Sequence, residues 1–529
     1  MFDLPGKGLR HSPQNIVSLN QFSHDKQKDK ERISVKLEVV QEETPSRSLA
    51  QARLDALFDD GTFEEIGAKV KHRASDFGLH DKRPEGDGVI TGSGEINGRV
   101  VFAFAQDRNI MGGSLGEAHA QKICRILDMA AKAGCPVVAI NDSGGARIQE
   151  GIDSLGGYGE IFRRNVAMSG IIPQVSLILG PCAGGAVYSP ALTDFIGMVE
   201  SQSYMFLTGP KVVKTVTFED VTPDKLGGAS VHAKQSGVAH LLYKNEADAI
   251  HGARQLLSYL PQNWKELPPV VENGDSPERL AVELDTLVPE NPKEVYDVYK
   301  VLNAVLDDES LFEIHRNWAR NIITGFGRIG GYTVGVVANQ PMWMAGVLDS
   351  DASRKGARFI RSCNAFNVPV ISFVDVPGFM PGTHQEHRGI INHGAKLCYA
   401  YCEATVPKLT VIMRKAYGGA YIVMGSKHIG GDVNLAWPTA EVAVMGAHGA
   451  VEILFRKEIE KSDDPEQAMA RKMAEYEEKF LNPERAAERG YVDAVIKPSE
   501  TRLKLYRHLR SQLGQAPGLP PRRNGNFPT

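Results

Sequence analysis

Two segments of this chain share an arrangement of residues that can do chemistry without a reactive side chain. GPCAGGAVYSPA (180–191) and RKAYGGAYIVMG (414–425) each place a Gly-Gly-Ala triplet soon after an apolar run, QVSLIL (174–179) and KLTVIM (408–413). Such a run reads as a buried strand, so each triplet opens the turn into the next element. Glycine there lets a ligand approach the backbone closely, and N–H groups pointing out of the turn form a site for negative charge. Donors aimed at a developing oxyanion are worth about 10²-fold or more in rate for each one removed. The pairs Gly184-Gly185 and Gly418-Gly419 therefore read as two oxyanion holes.

A second pair of segments reinforces this. NDSGGARIQEG (141–151) and VDVPGFMPG (374–382) each follow a strand that ends in an acid, Asp142 or Asp375. Both acids read as caps for the loops that follow. Arg147 has two readings, a contact to a ligand phosphate or an internal ion pair with Glu150 or another acid. Tyr158 and Tyr421 stand near the glycine turns and are either core aromatics or walls of an acyl pocket, and His384 and His387 read as loop hydrogen-bonders. There is no HExxH pair, no Walker lysine, and no glycine fingerprint or serine elbow at a strand-to-helix turn. Enolate chemistry on a thioester, with one hole for the thioester oxygen and one for a carbonyl of the carbon donor, fits that inventory.

The elements that position these residues come in duplicate. Thr91-Gly92, Pro136 and Asp142 recur 233 positions later as Thr324-Gly325, Pro369 and Asp375, while Pro173 and Gly184-Gly185 recur 234 later as Pro407 and Gly418-Gly419. So long a period means two similar domains rather than a solenoid. Each copy reads as a hairpin (ITGSGEINGRVVFAFAQD; NIITGFGRIGGYTVGVVANQ), a helix, a buried strand, and a second buried strand leading into the glycine turn. The predicted boundaries are a loosely ordered, charge-dense arm over 1–47, domains over 48–270 and 294–510, a linker over 271–293 and an irregular tail over 511–529. SRSLAQARLDALFDDGTFEE reads as a lead-in helix stopped by Asp-Gly. The second copy carries an insertion near 457–485 whose helix starts at Asp464-Pro465 and reads as a solvent-facing or inter-subunit brace.

A net charge of −4 gives no general attraction to nucleic acid or anionic membrane, and no run of 18 apolar residues exists. The first residues lack a signal-peptide stretch, so the expected location is cytoplasmic, or the mitochondrial matrix in a eukaryote. Six cysteines form no CxxC pair; Cys398 and Cys402, at i and i+4 below His393, could be ligands, but buried or apolar free thiols are the expectation, with neither disulfide nor metal.

NDSGGARIQEG, GEIFRRN, GPCAGGAVYSPA, FVDVPGFMPG, RKAYGGAYIVMGSKH and NLAWPTAEVAVMGAHGAV together resemble the carboxyltransferase (beta) subunits of biotin-dependent acyl-CoA carboxylases of the propionyl-CoA type, from about residue 48 onward. The resemblance implies two tandem crotonase-like (ClpP/crotonase) ββα-spiral α/β domains in a homohexamer, with each active site shared between subunits. It implies amides of Gly184 and Gly185 on the acyl-CoA enolate and of Gly419 and Ala420 on the ureido carbonyl of carboxybiotin. Gly144, Gly145, Ala146, Arg147, Tyr158, Gly418, Tyr421 and Ile422 are the further substrate-binding candidates. No enzymic base is needed, since the ureido nitrogen can take the acyl α-proton. With no ATP loop and no biotinyl-lysine segment, the chain must work with a biotin carboxylase and biotin carrier (alpha) subunit, and biotin is its implied cofactor. The reverse reaction, a methylmalonyl-CoA decarboxylase or transcarboxylase subunit, uses the same holes, and a non-catalytic scaffold is the third reading. One departure stands out: where propionyl-preferring relatives typically carry aspartate, this chain has Ile422.

Overall fold

The computed structural model describes residues 16–18, 27–37, 48–272, 274–289, 291 and 294–514. It divides into a unit over Ser18–Pro269 and a unit formed chiefly from Val270 onward.

In the first unit, Val89–Ile96 turns through Asn97-Gly98, both at positive φ, into Arg99–Gln106. That left-handed pair suits the twist of a tight antiparallel hairpin. From Arg99–Gln106 the pairing becomes parallel, through Val137–Ser143, Gln174–Ala183, Phe195–Val199 and Leu241–Tyr243. The short strand Glu64–Glu65 closes the antiparallel edge, and Tyr204–Phe206 pairs with the end of Gln174–Ala183. Parallel neighbours need crossovers, supplied here by the helices Glu117–Ala133 and Ile152–Met168. Glu117–Ala133 stops where Gly134 takes the left-handed conformation (φ 67°) and its N–H closes on Ala130 and Ala131 carbonyls. Its buried stripe of Ile123, Ile126, Leu127 and Ala130 packs into the same core as Phe102, Phe104, Val137 and Ile178.

The second unit repeats this order strand for strand: Phe312–Ile314, Ile322–Ile329, Tyr332–Asn339, Val370–Val376, Lys408–Tyr417, Val433–Ala436 and Ala494–Val495, with Glu441–Ala443 on the end of Lys408–Tyr417. Even the irregularity is copied. The parallel ladder slips at Asp142, between Asn141 and Ser143, and at Asp375, between Val374 and Val376. These are two tandem crotonase-like ββα-spiral domains, as the family resemblance implies.

Two expectations are corrected. HDKQKDKER belongs in part to a helix over 27–37 that docks on the first unit. Asp29 accepts from Arg254 and His251 (both 3.1 Å), Arg32 donates to the Phe58 carbonyl (3.1 Å), and Ile33 is fully buried. Tertiary pairing of its charges, invisible in composition, orders the segment; the rest of the predicted arm lies outside the described residues apart from the strand Ile16–Ser18. The predicted linker is packed: Ala281, Leu284 and Val288, three and four residues apart, join the core of the second unit, and Arg502 pairs with Asp275. Its proline and glycine content hid that short apolar stripe. The lead-in helix Leu49–Leu57, capped by Ser48, ends before Asp60-Gly61. The insertion helix Pro465–Phe480 forms as predicted, with Asp464 accepting from the Gln467 amide (3.0 Å), and none of its residues is fully buried. Of the predicted tail, 515–529 lie outside the described residues.

Candidate active site

Each glycine turn is built the same way. Gln174–Ala183 ends at Gly184 (φ 62°) and Lys408–Tyr417 ends at Gly418 (φ 57°), left-handed positions that a side chain adopts only under strain. One helical turn follows each, Gly184–Val187 continuing into Tyr188–Leu192, and Gly418–Ile422. First-turn amides of a helix have no intrahelical acceptor, and neither turn has a side-chain cap. Both helices are too short for much dipole, so what each turn can offer a ligand is its individual first-turn amides.

The loop after the preceding strand is also copied. Leu115 bridges Ala146, and 233 positions on Leu348 bridges Phe379. Gly145 lies so close to the residue preceding Gly184 that a Cβ on it would stand 2.8 Å from the Ala183 carbonyl oxygen. This brings Gly144, Gly145 and Ala146 to the first turn. Sequence reasoning missed their counterparts Gly378 and Phe379, although the 233-residue offset pointed at them.

The walls differ. A Cβ on Gly185 would meet the Tyr158 ring at 3.1 Å, whereas one on Gly419 would meet nothing within 4 Å. Tyr158 is buried, and its hydroxyl lies beside Ser143, whose Oγ is already committed to the Gly113 carbonyl (2.7 Å) and the Gly145 amide (3.2 Å). Burial pushes that phenol well above its ordinary pKa. Tyr421 is likewise buried, its hydroxyl unpartnered, with its ring edge-on to His428. Ile422, beside it, is 38% exposed.

Arg147 takes the ion-pair reading of its two. Its side chain is fully buried: Nη1 contacts Asp87 and Glu150 (both 2.7 Å) and Nη2 donates to the Ser114 carbonyl (2.9 Å). A Cβ on Gly116 would fall 2.6 Å from Nη1, so packed backbone seals the guanidinium from any coenzyme phosphate. The strand-end acids are more than loop caps. Asp142 pairs with Arg53 (3.0 Å) from the lead-in helix, and Asp375 pairs with Arg414 (3.0 Å) from the adjacent strand. Arg414 stands 234 positions after Gly180, where a Cβ would lie 2.1 Å from Asp142 Oδ1. The first copy thus brings in its arginine from the lead-in helix rather than the adjacent strand, beside a cavity of about 180 Å³ lined by Arg53, Asp142, Gly180 and Glu246, among others, but by neither glycine turn. His384 and His387 are exposed on the short helix Thr383–His387.

Two glycine patterns mislead if read as letters. In GGSLG (112–116), Ser114 follows a 3₁₀ turn and donates to the Met111 carbonyl (2.7 Å); GFGRIG (325–330) runs along the strand Ile322–Ile329 into a hairpin. Neither is a strand-to-helix site. Among the described residues no group of three potential metal ligands occurs, and no helix is long and apolar enough to cross a membrane.

The buried network around Arg147 has a pH signature. His119 is fully buried, with Nδ1 against the Asp87 carbonyl (3.0 Å); burial, then Arg147 and Lys122, lower its pKa from 6.5 to about 3. Its folded form binds fewer protons than the unfolded chain between those values, so stability is in full above about pH 6.5 and falls as pH drops toward 3, by on the order of 4 kcal/mol. Denaturant unfolding of wild type and His119→Gln from pH 7 to 4 should show this slope only in the wild type; parallel curves would remove His119 as its source.

The twin-domain chain thus carries the same strand, left-handed glycine and helical turn in each copy. The sequence matches the carboxyl transferase domain family over residues 41–527, and the chain belongs to that family. It is 56% identical over 490 residues (93% of this chain, 95% of the relative) to the propionyl-CoA carboxylase carboxyltransferase subunit of Haloferax mediterranei. To the mitochondrial propionyl-CoA carboxylase beta chain of Homo sapiens it is 55% identical over 482 residues (90% and 88%). A solved structure of transcarboxylase 12S, described as a hexamer assembly with methylmalonyl-coenzyme A and methylmalonic acid bound, superposes with a TM-score of 0.89 at 45% identity, covering 99% of this chain and all of that one.

Proposed function

We propose that this chain is the carboxyltransferase subunit of a biotin-dependent acyl-CoA carboxylase, moving a carboxyl group from carboxybiotin to the α-carbon of a short-chain acyl-CoA, propionyl-CoA or acetyl-CoA. The observation that carries this reading is the strand, left-handed glycine and helical turn built twice on one fold. In the first copy the Gly184 and Gly185 amides hold the thioester oxygen as it gains enolate charge, with Gly144, Gly145 and Ala146 along one side and Tyr158 walling the acyl group. In the second, the Gly419 and Ala420 amides hold the ureido oxygen, with Gly418, Tyr421 and Ile422 around them. The open space beside Gly419, where the first copy has its Tyr158 wall, suits the bulkier bicycle of biotin. Bound there, carboxybiotin supplies the carboxyl group and a nitrogen able to accept the α-proton. The carboxylase names of the relatives favour this direction over the reverse one.

Biotin rides on a partner alpha subunit in this reading, and the chain assembles as a homohexamer. The hexamer of the 45% identical transcarboxylase supports that assembly. So do the apolar residues left exposed just after the first-copy loop, Ile148, Ile152 and Leu155. The deciding experiment supplies ¹⁴C-bicarbonate, ATP and the biotinylated partner. Acid-stable label in the acyl-CoA product is expected only when this chain is present, and label without it would end the proposal.

In the active site shared between subunits that the resemblance implies, Ile422 also borders the acyl tail held at a neighbouring subunit's first turn, and so sets the acceptor. Its partly exposed apolar side chain presents no solvation demand to an acyl tail, whereas aspartate would, and one methylene is worth about 1–3 kcal/mol of discrimination. Acetyl-CoA is therefore expected alongside propionyl-CoA, with Ile422→Asp shifting the ratio of kcat/KM values toward propionyl-CoA. An unchanged ratio across acetyl-, propionyl- and butyryl-CoA would remove the residue from specificity.

A further inference from the structure

Four of the six cysteines are buried; the other two, Cys398 and Cys402, sit together on the helix Ile390–Glu403, Cys398 partly exposed and Cys402 exposed. At i and i+4 they share a helix face, which makes the two thiols near neighbours. They remain free thiols. Helical i,i+4 Cβ atoms lie about 5–6 Å apart, beyond the roughly 3.5–4.5 Å that a disulfide requires. A direct S–S bond would thus have to unwind the last helical turn. An atom inserted between the sulfurs would not.

Cys402 is the more accessible thiol of the two. Lys408 Nζ closes the helix end by donating to the carbonyls of Tyr401 (3.3 Å) and Ala404 (2.6 Å), and it lies close enough to Cys402 for the two to interact electrostatically. Among the described residues no third His, Cys, Asp or Glu completes a metal cluster, so the pair suits a group that brings its own remaining substituent.

We propose that Cys398 and Cys402 form a surface dithiol that captures a trivalent arsenical, or an electrophile of that thiophilic class, at two points. The step balances as R–As(OH)₂ plus two thiols giving R–As(S)₂ and two waters, with two As–S bonds formed, two As–O bonds broken and no change in oxidation state. The helix stays intact, and the captured group spans its last two turns. Tyr401, on the same turn, hydrogen-bonds Ser372 (2.6 Å) and packs under Gly425, so the site sits on a helix keyed to the segment just after the second glycine turn.

The test treats the full-length assembled protein with phenylarsine oxide and reads intact mass. One phenylarsenic adduct per chain is expected, surviving excess 2-mercaptoethanol but released by 2,3-dimercaptopropanol. Because the second thiol acts at an effective concentration in the millimolar range, Cys398→Ser and Cys402→Ser should each weaken binding about 10²-fold. Both are conservative changes on an exposed helix face, and circular dichroism checks that the variants fold. An adduct stripped from the wild type by the monothiol, or retained equally by either serine variant, would overturn the dithiol.

Discussion

Replacing Gly419 with valine is expected to abolish carboxyl transfer while the chain keeps its fold and its assembly. Gly419 is not in the left-handed region, and a Cβ there meets nothing within 4 Å, so the substitution strains neither backbone nor core. It places two methyl groups where the ureido oxygen must approach the Gly419 and Ala420 amides. Loss of a single oxyanion donor costs about 10²–10³-fold in kcat, and obstructing the approach to a pair should exceed that. The measurement is ¹⁴C transfer with the biotinylated partner, beside size-exclusion chromatography and thermal unfolding. Turnover within about tenfold of wild type in a correctly assembled variant would take the second turn out of the mechanism. Gly185→Val should also abolish transfer but is a less clean test, because its side chain presses on Tyr158 and activity would fall partly through repacking.

Arg147→Leu is expected to destabilise the first domain by about 3–5 kcal/mol, because it leaves Asp87 and Glu150 facing a buried site with no counter-charge. Burial already raises the Asp87 carboxyl above its ordinary pKa with the arginine present, and removing the guanidinium drives it further. A phosphate-binding arginine would behave oppositely, raising KM for the acyl-CoA with unfolding unchanged. Denaturant midpoints and KM for propionyl-CoA, measured on the same preparation, separate the two. An unshifted midpoint with a tenfold higher KM would restore Arg147 to the substrate site.

The repeated offsets carried a large share of this structure in plain view. Glycine-bounded alternation marked the hairpins, and apolar runs marked strands buried on both faces. The constant 233- and 234-residue displacement implied two copies of one sheet, since a strand cannot shift register by one residue without turning its core face to solvent. Charge-dense 27–37 and the acid- and proline-bearing 274–289 were misread for one shared reason. Composition reports how well a segment solvates itself, and what ordered these two was a docking surface elsewhere, Arg254 and His251 for Asp29, and the core around Leu302 for Leu284.

By itself the sequence determined the two domains, the strands that end in Gly-Gly-Ala, and the family to which the chain belongs, because each rests on local periodicity or on residues near one another along the chain. Only the tertiary structure decided which neighbours those residues acquire. It sealed Arg147 between Asp87 and Glu150, gave Asp142 and Asp375 arginines from different parts of the fold, and set Tyr158 against Gly185 while leaving Gly419 open. Burial and ion pairing depend on what long-range packing brings within a few ångströms, and no spacing along a chain encodes that distance.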